Sequence, residues 1–153
     1  MFININEIIR NINLNNYRYI GSGSGREVYD LHNGYVVKIA KNIKGLAQNE
    51  VERYISYNAD SDLLANVIYI SYDLKYLIME KADKVKHMSG ILRYFNVSNK
   101  SDLSNVREIR KIAERFDLVY ADFLKPNTWG RINGRYVIVD YGFTRSVRGK
   151  YYN

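Results

Sequence analysis

Asp122, Asn127 and Asp140 are the residues of this chain whose types and spacing are best suited to chemistry. Magnesium takes oxygen from one or two acids or amides and leaves the rest of its shell to water and phosphate. Asn127 and Asp140 meet that need, so the set is one that can hold magnesium on nucleotide phosphates. Between them, Thr128–Ile132 and Tyr136–Val139 read as two short strands joined by Asn133-Gly134, a dipeptide that favours a tight hairpin turn. Such a hairpin brings Asn127 at its entry close to Asp140 at its exit.

The elements that must position these residues are legible in the apolar spacing. Ile5 to Leu14 has a helical spacing, with Asn4 or Asn6 as its N-cap. Tyr17–Ile20, Val28–Leu31, Tyr35–Ala40, Val67–Ser71 and Tyr76–Met79 read as strands, and Leu46–Tyr57 as a helix after the third of them. The expected fold class is therefore α+β, a five-stranded antiparallel sheet with one helix, followed by a mostly helical second half. That half contains a short helix over Met88–Phe95 and one continuous helix over Leu103–Phe116. The lone proline, Pro126, fixes the backbone beside Asn127.

Composition bounds the remainder. A chain of 153 residues, 46% hydrophobic and 14% aromatic, is large enough for one packed domain. No apolar run reaches the length of a membrane span, and the first residues lack the pattern of a signal peptide. Cysteine is absent, which excludes disulfides and thiolate metal sites, so a cytoplasmic location is expected. The net charge of +7 raises nucleic-acid binding. The basic residues are scattered along the chain, however, which favours solvated faces or an acidic partner surface.

Taken in order, the motifs resemble those of the protein kinase-like superfamily. Gly21-Ser22-Gly23-Ser24-Gly25-Arg26-Glu27-Val28 is similar to its glycine-rich loop, G-x-G-x-x-G-x-V, with Arg26 where the third glycine belongs. The resemblance implies that Gly21, Ser22, Gly23, Ser24, Gly25 and Val28 surround the nucleotide, and that Arg26 can itself reach a phosphate. Tyr35-Val36-Val37-Lys38 resembles V-A-I-K, whose lysine binds phosphates and pairs with a helical glutamate. Glu50 is the expected partner and Glu52 the alternative, because the two point to different faces and the sequence does not settle the register. Tyr76–Ala82 resembles the last strand and hinge, implying Met79 at the back of an adenine pocket with Glu80 and Ala82 along its edge. Tyr120–Asn127 is similar to the catalytic loop H-R-D-L-x-x-x-N, and Asp140-Tyr141-Gly142 to D-F-G. By resemblance Asp122 orients or deprotonates the acceptor hydroxyl, Lys125 neutralises the transferring phosphate or is an exposed loop lysine, and Asn127 and Asp140 hold magnesium.

The resemblance implies one kinase-like domain over 1–153, with an amino-terminal lobe to about 80, a hinge over about 81–86 and a reduced carboxy-terminal lobe from about 87. ATP and Mg2+ are the expected cofactors, and a protein serine or threonine the expected acceptor. The few residues after Asp140 leave no room for the peptide-docking platform of full-length protein kinases, a reduction that would suit a viral or mobile-element protein acting in a host cytoplasm. The alternative is a catalytically inactive module that binds nucleotide or modulates a partner protein.

Overall fold

The computed structural model describes residues 2–151. Its first helix, α1 (Ile5–Asn13), is capped by Asn4, whose side-chain oxygen accepts the Glu7 N–H at 3.1 Å. Strands β1 (Arg18–Ser22), β2 (Arg26–Asp30), β3 (Tyr35–Ala40), β4 (Val67–Ile70) and β5 (Tyr76–Glu80) form one antiparallel sheet in the order β1-β2-β3-β5-β4. The single helix between β3 and β4 is α2 (Ile43–Asn58).

Both faces of the central strands are covered, which is why β3 and β5 read as nearly continuous apolar runs. Val37, Ile39 and Ile78 pack with Ile8 of α1 on one face. Val36, Leu77 and Met79 pack on the other, with Ile55 of α2. Lys38 lies on this second face, because side chains alternate along a strand. It is the charged residue of an otherwise apolar strand, and it projects toward α2.

The second half begins with a difference from the sequence-based expectation. The stretch 81–86, expected as a hinge, contains regular structure. Asp83–Lys84 forms a short strand, β6, that pairs with β7 (Trp129–Ile132), which in turn pairs with β8 (Arg135–Ile138). Lys81 at its start is pinned to Asp30 of β2, with Nζ 2.8 Å from the carboxylate. The β7–β8 turn is the expected Asn-Gly hairpin, with positive φ at Asn133 (52°) and Gly134 (80°). Helices α3 (Ser89–Tyr94), α4 (Arg107–Phe116) and α5 (Arg145–Tyr151) complete the described residues. Among these residues no helix is long and apolar enough to cross a membrane.

The expected continuous helix over Leu103–Phe116 is interrupted. A 3-10 turn covers Lys100–Asn105, Val106 is extended (φ −69°, ψ 123°), and only then does α4 start. Ser104 explains the break: its hydroxyl donates to the Ser101 carbonyl at 2.9 Å, a local bond of the kind that competes with helix continuation.

One core joins the two halves. Leu77 and Met79 of the sheet meet Ile109 and Ile112 of α4, Phe123, Trp129, Ile138 and Tyr141. Tyr141 is 2% exposed and donates its hydroxyl to the Ala65 carbonyl at 2.7 Å. Tyr141→Phe therefore keeps the packing and leaves that carbonyl without its donor. The expected loss is about 1–3 kcal/mol of unfolding free energy, measured by urea denaturation; an unchanged midpoint would show that the bond contributes nothing.

Candidate active site

Glu52 is the centre of the site. The buried residues of α2 are Gly45, Asn49, Glu52 and Ile55, spaced along one helical face, while Glu50 is exposed on another. The Lys38 partner is consequently Glu52 rather than the expected Glu50. Lys38 Nζ lies 2.9 and 3.1 Å from its two carboxylate oxygens and also donates to the Val139 carbonyl. Glu52 accepts three further hydrogen bonds, two from Arg26 at 2.6 and 3.1 Å and one from the Tyr141 N–H at 2.9 Å.

Arg26 differs from the expectation that it reaches toward phosphate. Arg26 pairs with Ala40 and Val28 with Lys38 in the β2–β3 register, so Arg26 points to the same face as Lys38. Its guanidinium turns inward and is held by Glu52, by Asn49 Oδ1 at 3.1 Å and by Asp140 Oδ1 at 3.0 Å. Asn49 is a functional neighbour that the motif reading missed. It is fully buried and donates to the Leu74 and Lys75 carbonyls, which fixes the acceptor oxygen toward Arg26. No local pattern marks it, because the inner face of α2 is set by tertiary packing.

Burial by itself pushes the Glu52 carboxyl up, but the Arg26 and Lys38 charges outweigh it and hold the group at about 2. Burial pulls Lys38 below the ordinary lysine value, against the opposing pull of Glu52.

The glycine-rich loop divides into two parts. Gly21 and Gly23 face open space, where a side chain would meet nothing within 4 Å. Gly25 is buried, and a Cβ there would lie 2.9 Å from the Gly45 backbone nitrogen, so this glycine serves the approach of the loop to α2. Ser22 accepts from Lys41 Nζ at 2.8 Å, and the Ser24 carbonyl accepts from the Asn42 side chain at 3.0 Å. Val28 packs against the main core, cross-strand from Lys38. At the hinge, Met79 is wholly buried in the core, Glu80 exchanges hydrogen bonds with Asn66, and Ala82 packs against Gly130.

The two ends of the hairpin come together, as its turn predicts. The Val139 N–H donates to the Thr128 carbonyl at 2.8 Å, one residue before Asp140 and one after Asn127. Asp122 sits in a 3-10 turn, Tyr120–Leu124, anchored by the buried Phe123, whose carbonyl accepts the Trp129 indole N–H at 2.9 Å. Asp122 and Asp140 line one small cleft with Leu118 and Phe143. Lys125 Nζ is 3.4 Å from Asp122 Oδ1. Burial raises the Asp122 carboxyl above the ordinary aspartate value, Lys125 opposes this, and Asp140 adds to it. A separate open hollow of about 520 Å³ beside Phe95, Val97 and Val106 contains none of these residues.

The donor set fits a hard divalent ion. Asp140 is half exposed and Asn127 exposed at the same hairpin mouth, so their oxygens are open to such an ion. No cluster of three or more His, Cys, Asp or Glu suited to a metal occurs among the described residues.

The sheet order, the helix after the third strand, the Lys38–Glu52 pair and the hairpin leading to Asp140 are arranged as the protein kinase-like resemblance implies. No protein-family model and no curated protein matches the sequence. Among solved structures it is similar to the APH(2'')-IIa ternary complex with streptomycin and ATP, at 17% identity and a TM-score of 0.48, over 93% of this chain and 73% of that one. The gentamicin complex of APH(2'')-IIa gives 17% identity and 0.49, over 93% and 71%. The ADP-bound aminoglycoside phosphotransferase APH(2'')-Ib gives 17% identity and 0.48, over 89% and 70%.

Removing Glu52 leaves two buried cations without their partner. Glu52→Gln is expected to cost about 3–5 kcal/mol, whereas Glu50→Gln stays within about 0.5 kcal/mol, both read from urea unfolding. Because the folded carboxyl titrates at about 2 and its ordinary value is 4.5, its contribution is complete above that ordinary value. It fades as pH falls toward about 2. Wild type should lose stability across that window and Glu52→Gln should lack this component; parallel profiles would contradict the assignment.

Proposed function

We propose that this chain is an ATP- and magnesium-dependent kinase-like phosphotransferase whose acceptor is a hydroxyl, on a protein serine or threonine. The observation that carries the proposal is the Lys38–Glu52 pair bound directly to the Asp140 segment, through the Val139 carbonyl and the Tyr141 N–H. Sheet, α2 and metal-binding loop are thereby locked into one arrangement, and positioning is most of what phosphoryl transfer asks of a protein.

In this proposal the open loop at Gly21 and Gly23 lies over the phosphates, Lys38 binds their oxygens, and Glu80 and Ala82 border the adenine. Asn127 and Asp140 hold magnesium. When bound, ATP supplies the γ-phosphoryl group and magnesium offsets its charge. Asp122 accepts the proton of the acceptor hydroxyl. Burial holds its carboxyl above the ordinary aspartate value, which makes it a better base.

The charge around Asp122 bears on the acceptor. Lys125 lies against it, and the Arg148 guanidinium is near enough to act on its carboxyl. A basic rim favours an acidic protein surface and disfavours polycations such as aminoglycosides. One observation favours the non-catalytic alternative, a kinase-like module acting by binding alone: Arg26 already neutralises Asp140.

Transfer of labelled phosphate from ATP to an acidic Ser/Thr protein such as casein separates the two. Asp122→Asn should lower it by about 10²–10⁴-fold while nucleotide binding persists; equal labelling by both forms would leave the binding module. In the active protein the acid limb of kcat/KM should have its midpoint above 3.8, the ordinary aspartate value. Lys125→Gln should move that midpoint higher still, since Lys125 lowers the Asp122 pKa.

A further inference from the structure

One charged side chain bonded to Asp140 has no part in that chemistry. Arg26 is buried at the side chain, and it donates two hydrogen bonds to Glu52, one to Asn49 and one to Asp140. The bonds to α2 therefore anchor the guanidinium whether or not Asp140 stays with it. Asp140, by contrast, has a side chain 53% exposed and is free to turn to solvent or to another cation.

An arginine stays positively charged throughout the working pH range. A divalent ion on Asp140 would stand within a few ångströms of that charge, in a half-buried setting where screening by water is incomplete. The guanidinium thus both occupies Asp140 and repels the ion that would replace it. A polyphosphate reverses the balance: it brings negative charge for the guanidinium and further oxygen ligands for the ion.

We infer that Arg26 makes divalent-cation binding at Asp140 conditional on a nucleotide polyphosphate, so that the site rejects the bare ion and accepts the ion–nucleotide pair. Arg26 is in this sense a specificity-determining residue, placed where the kinase-like loop has glycine. The inference rests on the proposed role of Asp140 as a metal ligand. By linkage, the nucleotide and the ion each raise the affinity of the other, and Arg26 sets the size of that coupling.

Mn2+ provides a readout independent of turnover, because the free ion is counted directly by electron paramagnetic resonance. Wild type should take up Mn2+ with ADP present and not without it. Arg26→Gln should bind Mn2+ alone about tenfold tighter or more than wild type, and adding Asp140→Asn should abolish the gain. Equal affinity of wild type and Arg26→Gln for bare Mn2+, or a gain that survives Asp140→Asn, would overturn the inference. Should Arg26→Gln fail to fold, the side-chain nitrogen resonances of Arg26 in wild type decide the matter. They should move with Mg2+ and ADP together and stay in place with Mg2+ alone; movement with Mg2+ alone would overturn it. A wild type that takes up no Mn2+ with ADP would count against the nucleotide proposal, while the bare-ion comparison would still test Arg26.

Discussion

A single desolvated carboxylate holds the site together. Glu52 is fully buried, and an ion in that position costs several kcal/mol unless it is paired and hydrogen-bonded on every side. It is so paired: Arg26 of β2, Lys38 of β3 and the Tyr141 N–H all converge on it. Two cations on one carboxylate leave an excess positive charge, and the Asp140 carboxylate balances it. Sheet, helix and the segment carrying Asp140 are therefore tied by charge neutrality in a poorly screened place.

Close backbone approach makes that convergence possible. Gly25 and Gly45 let the glycine-rich loop meet the first turn of α2, and a Cβ on Gly142 would lie 2.7 Å from the Gln48 carbonyl oxygen. The α2 helix is thus clasped from both sides, and Glu52 is placed within reach of both halves of the molecule. Asp122 is positioned by different means, through Phe123 in the core and the Trp129 indole bonded to its carbonyl. Asp122 and Asp140 thus reach one cleft from different elements, a 3-10 turn and the segment after β8.

The two demands on Asp140 pull in opposite directions. The buried cluster uses its negative charge for neutrality, and a metal ion would use the same charge for binding. Glycine at this position, as in the loop pattern that this chain resembles, would place no charge against Asp140. Here the arginine introduces it, and the half exposure of Asp140 lets the conflict be resolved by a third party that carries negative charge.

Much of this was legible in the residue order. The five strands, the helix after the third, the Asn133-Gly134 turn and the meeting of Asn127 with Asp140 all follow from local periodicity and turn chemistry, which act over a few residues. The break before α4 and the strand at Asp83–Lys84 did not follow, since one depends on a serine's choice of hydrogen bond and the other on a partner far along the chain. The choice of Glu52 over Glu50 was likewise closed to the sequence. The apolar pattern of α2 is weak, with Tyr54 and Tyr57 exposed, so nothing local marks its inner face. The sequence alone determined which chemical groups are present and in what order they come. Only the tertiary structure decided which charges face one another, because the partners of a buried ion are chosen by helix rotation and strand register across 26 residues from Arg26 to Glu52 and 114 from Arg26 to Asp140.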